Sequence, residues 1–120
     1  MPKFALLIYG DQSGAATMSE EEAAKISAEY FDYTNQITAE GLYKGGEALQ
    51  PTPTAKSVQV RNGERVVSDG PFAETKEQLG GFYLVECDTL DQALDAAARI
   101  PGARGGTIEV RPVMEFPEQP

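Results

Sequence analysis

Apolar positions along this chain fall into short continuous runs and helical stripes, separated by glycine- and proline-rich breaks. Phe4-Ala5-Leu6-Leu7-Ile8-Tyr9 is an unbroken apolar run closed by Gly10-Asp11, which predicts a central strand covered on both faces. Residues 11–17 are small and polar and read as a loop. Ser19 with Glu22 three residues on predicts a capping box, and Glu20, Glu21 and Glu22 suit the positive end of a helix dipole. Successive helical positions point in different directions, so these three acids read as a solvated cap, not a metal site. Ala23, Ile26, Tyr30, Thr34 and Ile37 recur at three and four residues and form one apolar face. Gly41 supplies the stop, which places this helix at about 19–40.

A short strand follows over Leu42–Gln50, ended by Pro51 and Pro53. Its adjacent Gly45 and Gly46 imply a bulge or the close approach of another group. Ser57–Arg61 and Glu64–Val67 flank Asn62-Gly63, the strongest short hairpin signal, because a type I′ turn needs positive φ at both positions. Arg61 and Glu64 should face each other across it. Gly81–Cys87 is a second nearly continuous apolar strand, again predicted central. Thr89 and Gln92 form a second capping box, opening a helix over about 90–99 with Leu90, Ala93, Leu94, Ala97 and Ala98 as its buried stripe. Pro101-Gly102 closes it. Gly106–Arg111 is the last strand, ended by Pro112, and residues 115–120 form a loosely held tail.

The order strand, helix, strand, hairpin, strand, helix, strand predicts an α+β domain of the ferredoxin-like, split βαβ type with an added β-hairpin. Such an antiparallel sheet carries both helices on one face. The two most apolar strands alternate too little for the other face to be solvated, so a homodimer burying it is expected.

At 120 residues the chain fits one domain, over 1–114, with the tail beyond. Nineteen acidic against ten basic residues give a net charge of −9, which argues against nucleic acid and against anionic membranes. No apolar stretch reaches the ~20 residues of a membrane span, and Met1-Pro2-Lys3-Phe4 runs directly into a strand, so a cytoplasmic protein is expected. The single cysteine, Cys87, lies within a strand and reads as a buried structural thiol.

The run Asp69-Gly70-Pro71-Phe72-Ala73-Glu74-Thr75-Lys76-Glu77, followed by Leu79-Gly80-Gly81-Phe82-Tyr83, resembles the signature of YCII-related proteins of the DGPF subgroup. Leu6–Tyr9, Gly45–Leu49, Ala97–Pro101 and Glu109–Val113 extend the resemblance over nearly the whole chain. It implies a bacterial dimeric α/β barrel with a pocket of undefined function. It also implies an association with sigma-factor-type regulators. The wider family is linked to a His–Asp pair in that pocket. This chain has no histidine, so only the aspartate of the pair, Asp69, is retained.

Lack of histidine removes the commonest general base and metal ligand, and with one cysteine no zinc site is expected. Neither GxGxxG nor GxxxxGK[ST] occurs, so no cofactor is expected. The candidates that remain are few. Asp69 is the candidate catalytic group: it acts as a base if burial raises its pKa, or it holds backbone amides of the turn that follows. Lys76 is either a pocket cation for a small carboxylate or a surface partner of Glu74 or Glu77. Tyr9, Glu47, Pro71 and Phe72 complete the candidate ligand-binding set, although Tyr9 and Tyr83 read more readily as core than as catalytic groups. Two function classes stand open: a small-molecule-binding protein, enzymatic or not, and a non-catalytic regulatory module.

Overall fold

A computed structural model describes residues 1–14 and 17–117. Its elements are β1 (Lys3–Gly10), α1 (Glu20–Ala39), β2 (Tyr43–Ala48), β3 (Lys56–Arg61), β4 (Glu64–Asp69), β5 (Gln78–Glu86), α2 (Leu90–Ala98) and β6 (Thr107–Pro112). Short 3-10 turns occupy Thr52–Thr54 and Pro101–Arg104. Four strands form one sheet in the order β2-β5-β1-β6, each neighbouring pair antiparallel, and β3-β4 is a separate two-stranded sheet. This is the split βαβ arrangement with an inserted hairpin. The apolar runs of β1 and β5 take its two central places. Residues 15 and 16 of the expected 11–17 loop, and 118–120 of the expected tail, lie outside the described residues.

Burial alternates along the central strands. Phe4 and Leu6 of β1, and Tyr83 and Val85 of β5 with Cys87 just beyond it, form one core with Tyr33 and Ile37 of α1 and Ala93, Ala96 and Ala97 of α2. Leu6, Ile37, Val85 and Ile100 are fully buried, and each large apolar side chain so placed contributes about 1.5–3 kcal/mol. Ala5, Leu7, Phe82 and Leu84 point to the opposite face and are only half-buried. Cys87 is buried as expected; its Sγ donates to the Thr89 carbonyl at 3.4 Å, and burial pushes the thiol pKa up.

The helix boundaries follow the capping residues. Ser19 Oγ accepts from the Glu22 amide at 3.0 Å, the first half of a capping box, while around Thr89 and Gln92 both halves form. At the far end of α1, Gly41 (φ +78°) donates to the Thr38 carbonyl and Leu42 to the Ile37 carbonyl. That pair of bonds is a Schellman motif, and its left-handed residue is best supplied by glycine. Asn62 (φ 53°) and Gly63 (φ 77°) form the expected hairpin turn, with Arg61 opposite Glu64. β2 bulges between Tyr43 and Gly45, as its glycines imply.

The helix faces depart from the expected stripes. In α1, Ile37 is buried and Tyr30 and Thr34 are half-buried, but Ala23 and Ile26 are exposed and Tyr33 joins the core. The first turns of α1 therefore lie outside the core, which begins on this helix at Tyr30 and Tyr33. In α2 the buried face is Ala93, Ala96 and Ala97, with Leu90 and Leu94 about half exposed and Ala98 exposed. Tyr33 Oη donates to the Ala96 carbonyl at 2.7 Å, a buried bond that fixes this rotation, and the small alanines allow close approach to α1. Arg99 then clamps the two helix ends, donating to both Glu40 carboxylate oxygens at 2.8 and 2.9 Å. Those bonds hold the Glu40 carboxyl below its usual range. β5 also starts three residues earlier than the sequence suggests, because Tyr9 and Gly10 pair with Leu79 and Gln78 beyond a bulge after Ile8.

Candidate functional site

A cavity of about 450 Å³ opens where the end of β1, the start of β5 and the end of β2 meet the underside of α1. Its size falls in the range of small-molecule sites. Glycine makes the space. Gly46, Gly80, Gly81 and Gly102 all line it, and a Cβ on Gly46 would lie 2.6 Å from the Phe82 carbonyl oxygen. A Cβ on Gly102 would lie 2.7 Å from Tyr30 Oη.

Beside the side-chain amides of Gln12 and Gln78, the uncharged polar side chains lining it are hydroxyls. Thr34 Oγ1 donates its single proton to the Tyr30 carbonyl at 2.9 Å. The 2.8 Å contact between Thr34 Oγ1 and Tyr83 Oη must therefore run from the phenol to the threonine. Tyr83 Oη is left as an acceptor. Burial raises the Tyr30 phenol pKa, with the Gly102 backbone hydrogen bond acting in the opposite sense. Tyr83 also packs edge-on against Tyr33 and Tyr43, with ring centroids 5.2 and 6.2 Å apart, which holds its hydroxyl in place.

Charge is confined to the rim. Asp11 and Glu47 line the cavity but are exposed. The Ser13 amide donates to Asp11 Oδ1 at 2.9 Å and lowers the Asp11 pKa, helped by the nearby charge of Lys76. Gln12, another lining residue, accepts from the Thr52 amide at 3.1 Å and ties the cavity mouth to the root of the β3-β4 hairpin.

Of the sequence candidates, Tyr9 and Glu47 line the cavity; Lys76 does not, although its charge acts on Asp11, which does. Asp69, Pro71 and Phe72 do not line it. Asp69 is the last residue of β4; its side chain is 88% exposed and pairs across the hairpin with Lys56 Nζ. The turn after it is held instead by the backbone and by Ser57, whose Oγ donates to the Gly70 carbonyl at 2.8 Å. Phe72 is 82% exposed and Pro71 half-buried on the connection to β5. The residues that sequence reasoning assigned only to packing are Tyr30 and Thr34. Two hydroxyl side chains four apart on an otherwise apolar helix face were the available signal.

The chain is thus an α+β domain whose split βαβ sheet and first helix enclose a cavity lined by tyrosines and glycines. The chain belongs to the YCII-related family, whose domain model matches residues 2–117. It is 39% identical over 112 residues to an uncharacterized protein of Rhizobium meliloti (strain 1021), an alignment covering 92% of this chain and 90% of that one. Among the described residues, no helix is long and apolar enough to cross a membrane.

Proposed function

We propose that this chain is a small-molecule-binding protein whose ligand occupies the cavity beneath α1. The observation that carries this reading is a space held open by backbone glycines and lined by phenols with unspent donor and acceptor capacity. With charges only at the rim, the interior suits a compact, uncharged ring bearing one acceptor for Tyr30 and one donor for Tyr83. Tyr9 and Glu47 belong to this site, and Lys76 acts on its rim through Asp11. Catalysis with Asp69 as base is a separate proposal, because the substrate would have to reach the exposed end of β4. Asp69→Asn tests it: unchanged turnover of any substrate found removes the aspartate from the chemistry.

The protein acts as a cytoplasmic homodimer in this reading. Support comes from the uncovered sheet face, where Ala5, Leu7, Phe82 and Leu84 are only half-buried, as a barrel of two such sheets would require. The Asp69–Tyr83 run supports membership of the DGPF subgroup. A second reading, a regulatory module of sigma-factor-type signalling, is favoured by the projecting β3-β4 hairpin, which suits contact with another protein.

Native mass spectrometry of freshly purified protein tests the binding reading. A reproducible small added mass that Tyr83→Phe weakens or removes is expected. Bare protein in both forms, with no uptake from a library of uncharged ring compounds, would overturn it.

A further inference from the structure

The β3-β4 hairpin is the part of the molecule that its own chain leaves without a partner. Among the described residues, neither of its strands packs substantially against a helix or a strand of the four-stranded sheet. An isolated two-stranded hairpin is marginal in water and gains stability by packing on something else. The fold is correspondingly extended: its radius of gyration is 16.6 Å, against about 14 Å for a compact chain of this length. Directly paired residues share a face, so Val58 with Val67, and Val60 with Arg65, lie on one side of the arm. That side is bare, with Val58 63%, Val60 64% and Val67 50% exposed. Ser57 and Gln59, on the other side, are partly covered.

Charge indicates what would cover the valines. The arm carries Lys56, Arg61 and Arg65 against Glu64 and Asp69, a balance of +1, so the remainder carries −10 to give the chain its −9. Part of that negative charge, Glu20, Glu21 and Glu22, is exposed on the first turn of α1 beside the unpacked Ala23 and Ile26. A second copy of the chain therefore offers both an acidic surface and bare apolar side chains. Two identical arms can reach two identical bodies about one two-fold axis.

We propose that the β3-β4 hairpin is a dimerisation arm, docking its valine face on the acidic body of a second copy. The inference rests on the homodimer reading above but adds a contact separate from the sheet face. The sheet face carries charges of its own, because Lys3, Glu86, Glu109 and Arg111 lie on it, so protection of the hairpin, not salt dependence, distinguishes the two contacts.

Sedimentation equilibrium of the wild type and of a Val58→Glu/Val67→Glu variant, with hydrogen exchange on both, tests it. Both positions are solvent-exposed in the single chain, so unchanged circular dichroism certifies the variant's fold. The expected result is a wild-type dimer that weakens with salt and protects the amides of residues 57–68. The variant dimer should dissociate at least roughly tenfold more readily, with those amides exchanging freely. A wild-type dimer whose hairpin exchanges freely while β1 and β5 are protected overturns the arm and leaves the sheet-face dimer standing. Hairpin protection retained in a Leu84→Glu dimer would support the arm and remove the sheet face instead. A wild type that stays monomeric, with an unprotected hairpin at every concentration, overturns both and leaves the arm to a different protein.

Discussion

Two glycine-to-alanine substitutions separate the stability of the sheet from the openness of the cavity. At Gly46 the added methyl would stand 2.6 Å from the Phe82 carbonyl oxygen and 3.2 Å from the Tyr83 Cα. Backbone atoms of a central strand cannot swing away, so β2 must shift. Overpacking of this kind costs about 1–3 kcal/mol, offset by the roughly 0.4–1 kcal/mol that alanine contributes by restricting the unfolded chain. The net loss is about 1–2 kcal/mol, or roughly 4–8 °C in Tm for a domain of this size. At Gly102 the methyl meets Tyr30 Oη at 2.7 Å and Ile8 Cγ2 at 3.2 Å, both ends of side chains that can move. Stability should change by less than about 1 kcal/mol. The Tyr30 ring, however, must move and its hydroxyl leave its place, so affinity for a cavity ligand should fall roughly tenfold or more. Thermal and urea unfolding followed by circular dichroism, with ligand titration of Gly102→Ala, read both effects. A Gly46→Ala protein as stable as wild type would refute the strand-contact argument. A Gly102→Ala protein with unaltered affinity would refute the placement of the ligand beside Tyr30.

Tyr33→Phe removes the buried bond to the Ala96 carbonyl, which keeps only a 3.3 Å bond from the Arg99 amide. A loss of about 1 kcal/mol, read as a lower urea midpoint with unchanged slope, is expected; no change would mean that this bond does not set the rotation of α2. High pH should weaken the fold. Tyr30, Tyr33 and Cys87 have pKa values raised by burial from ordinary values of 10.0, 10.0 and 9.0. Above those values the unfolded chain releases protons that the folded chain retains, so stability present below them is lost as pH rises. A urea midpoint that stays constant through that alkaline window contradicts the assigned burial. Glu40 behaves oppositely: its lowered pKa contributes stability above the ordinary carboxylate range that is lost on acidification. Glu40→Gln should flatten that acid limb, and an unaltered limb would remove the Arg99 clamp from the account.

Features set by neighbouring residues were legible in the sequence. Asn62-Gly63 specifies its turn, Thr89 with Gln92 its capping box, and the apolar runs of β1 and β5 their central places. Helix rotation was less legible, because Ala96 is chosen over Leu94 by a hydroxyl from another helix sixty-three residues away in sequence. The cavity was legible only in pieces. Gly46, Tyr83 and Tyr9 were each singled out, but their meeting with Tyr30, Thr34 and Gly102 depends on tertiary packing that no local pattern carries. The density of turn and polar residues around Asp69 likewise marks a strand end and a long connection, and spacing alone does not tell that this aspartate stands on a projecting arm.

The central claim is that the space beneath α1 binds a small molecule. The most direct measurement is an amide-resolved NMR titration of the protein with a library of uncharged ring fragments. Shifts concentrated on Gly46, Gly81, Tyr83 and Gly102, and abolished by Gly102→Ala, are the predicted result. Fragments that leave those amides unmoved, or that perturb only the hairpin and outer helix faces, would contradict it.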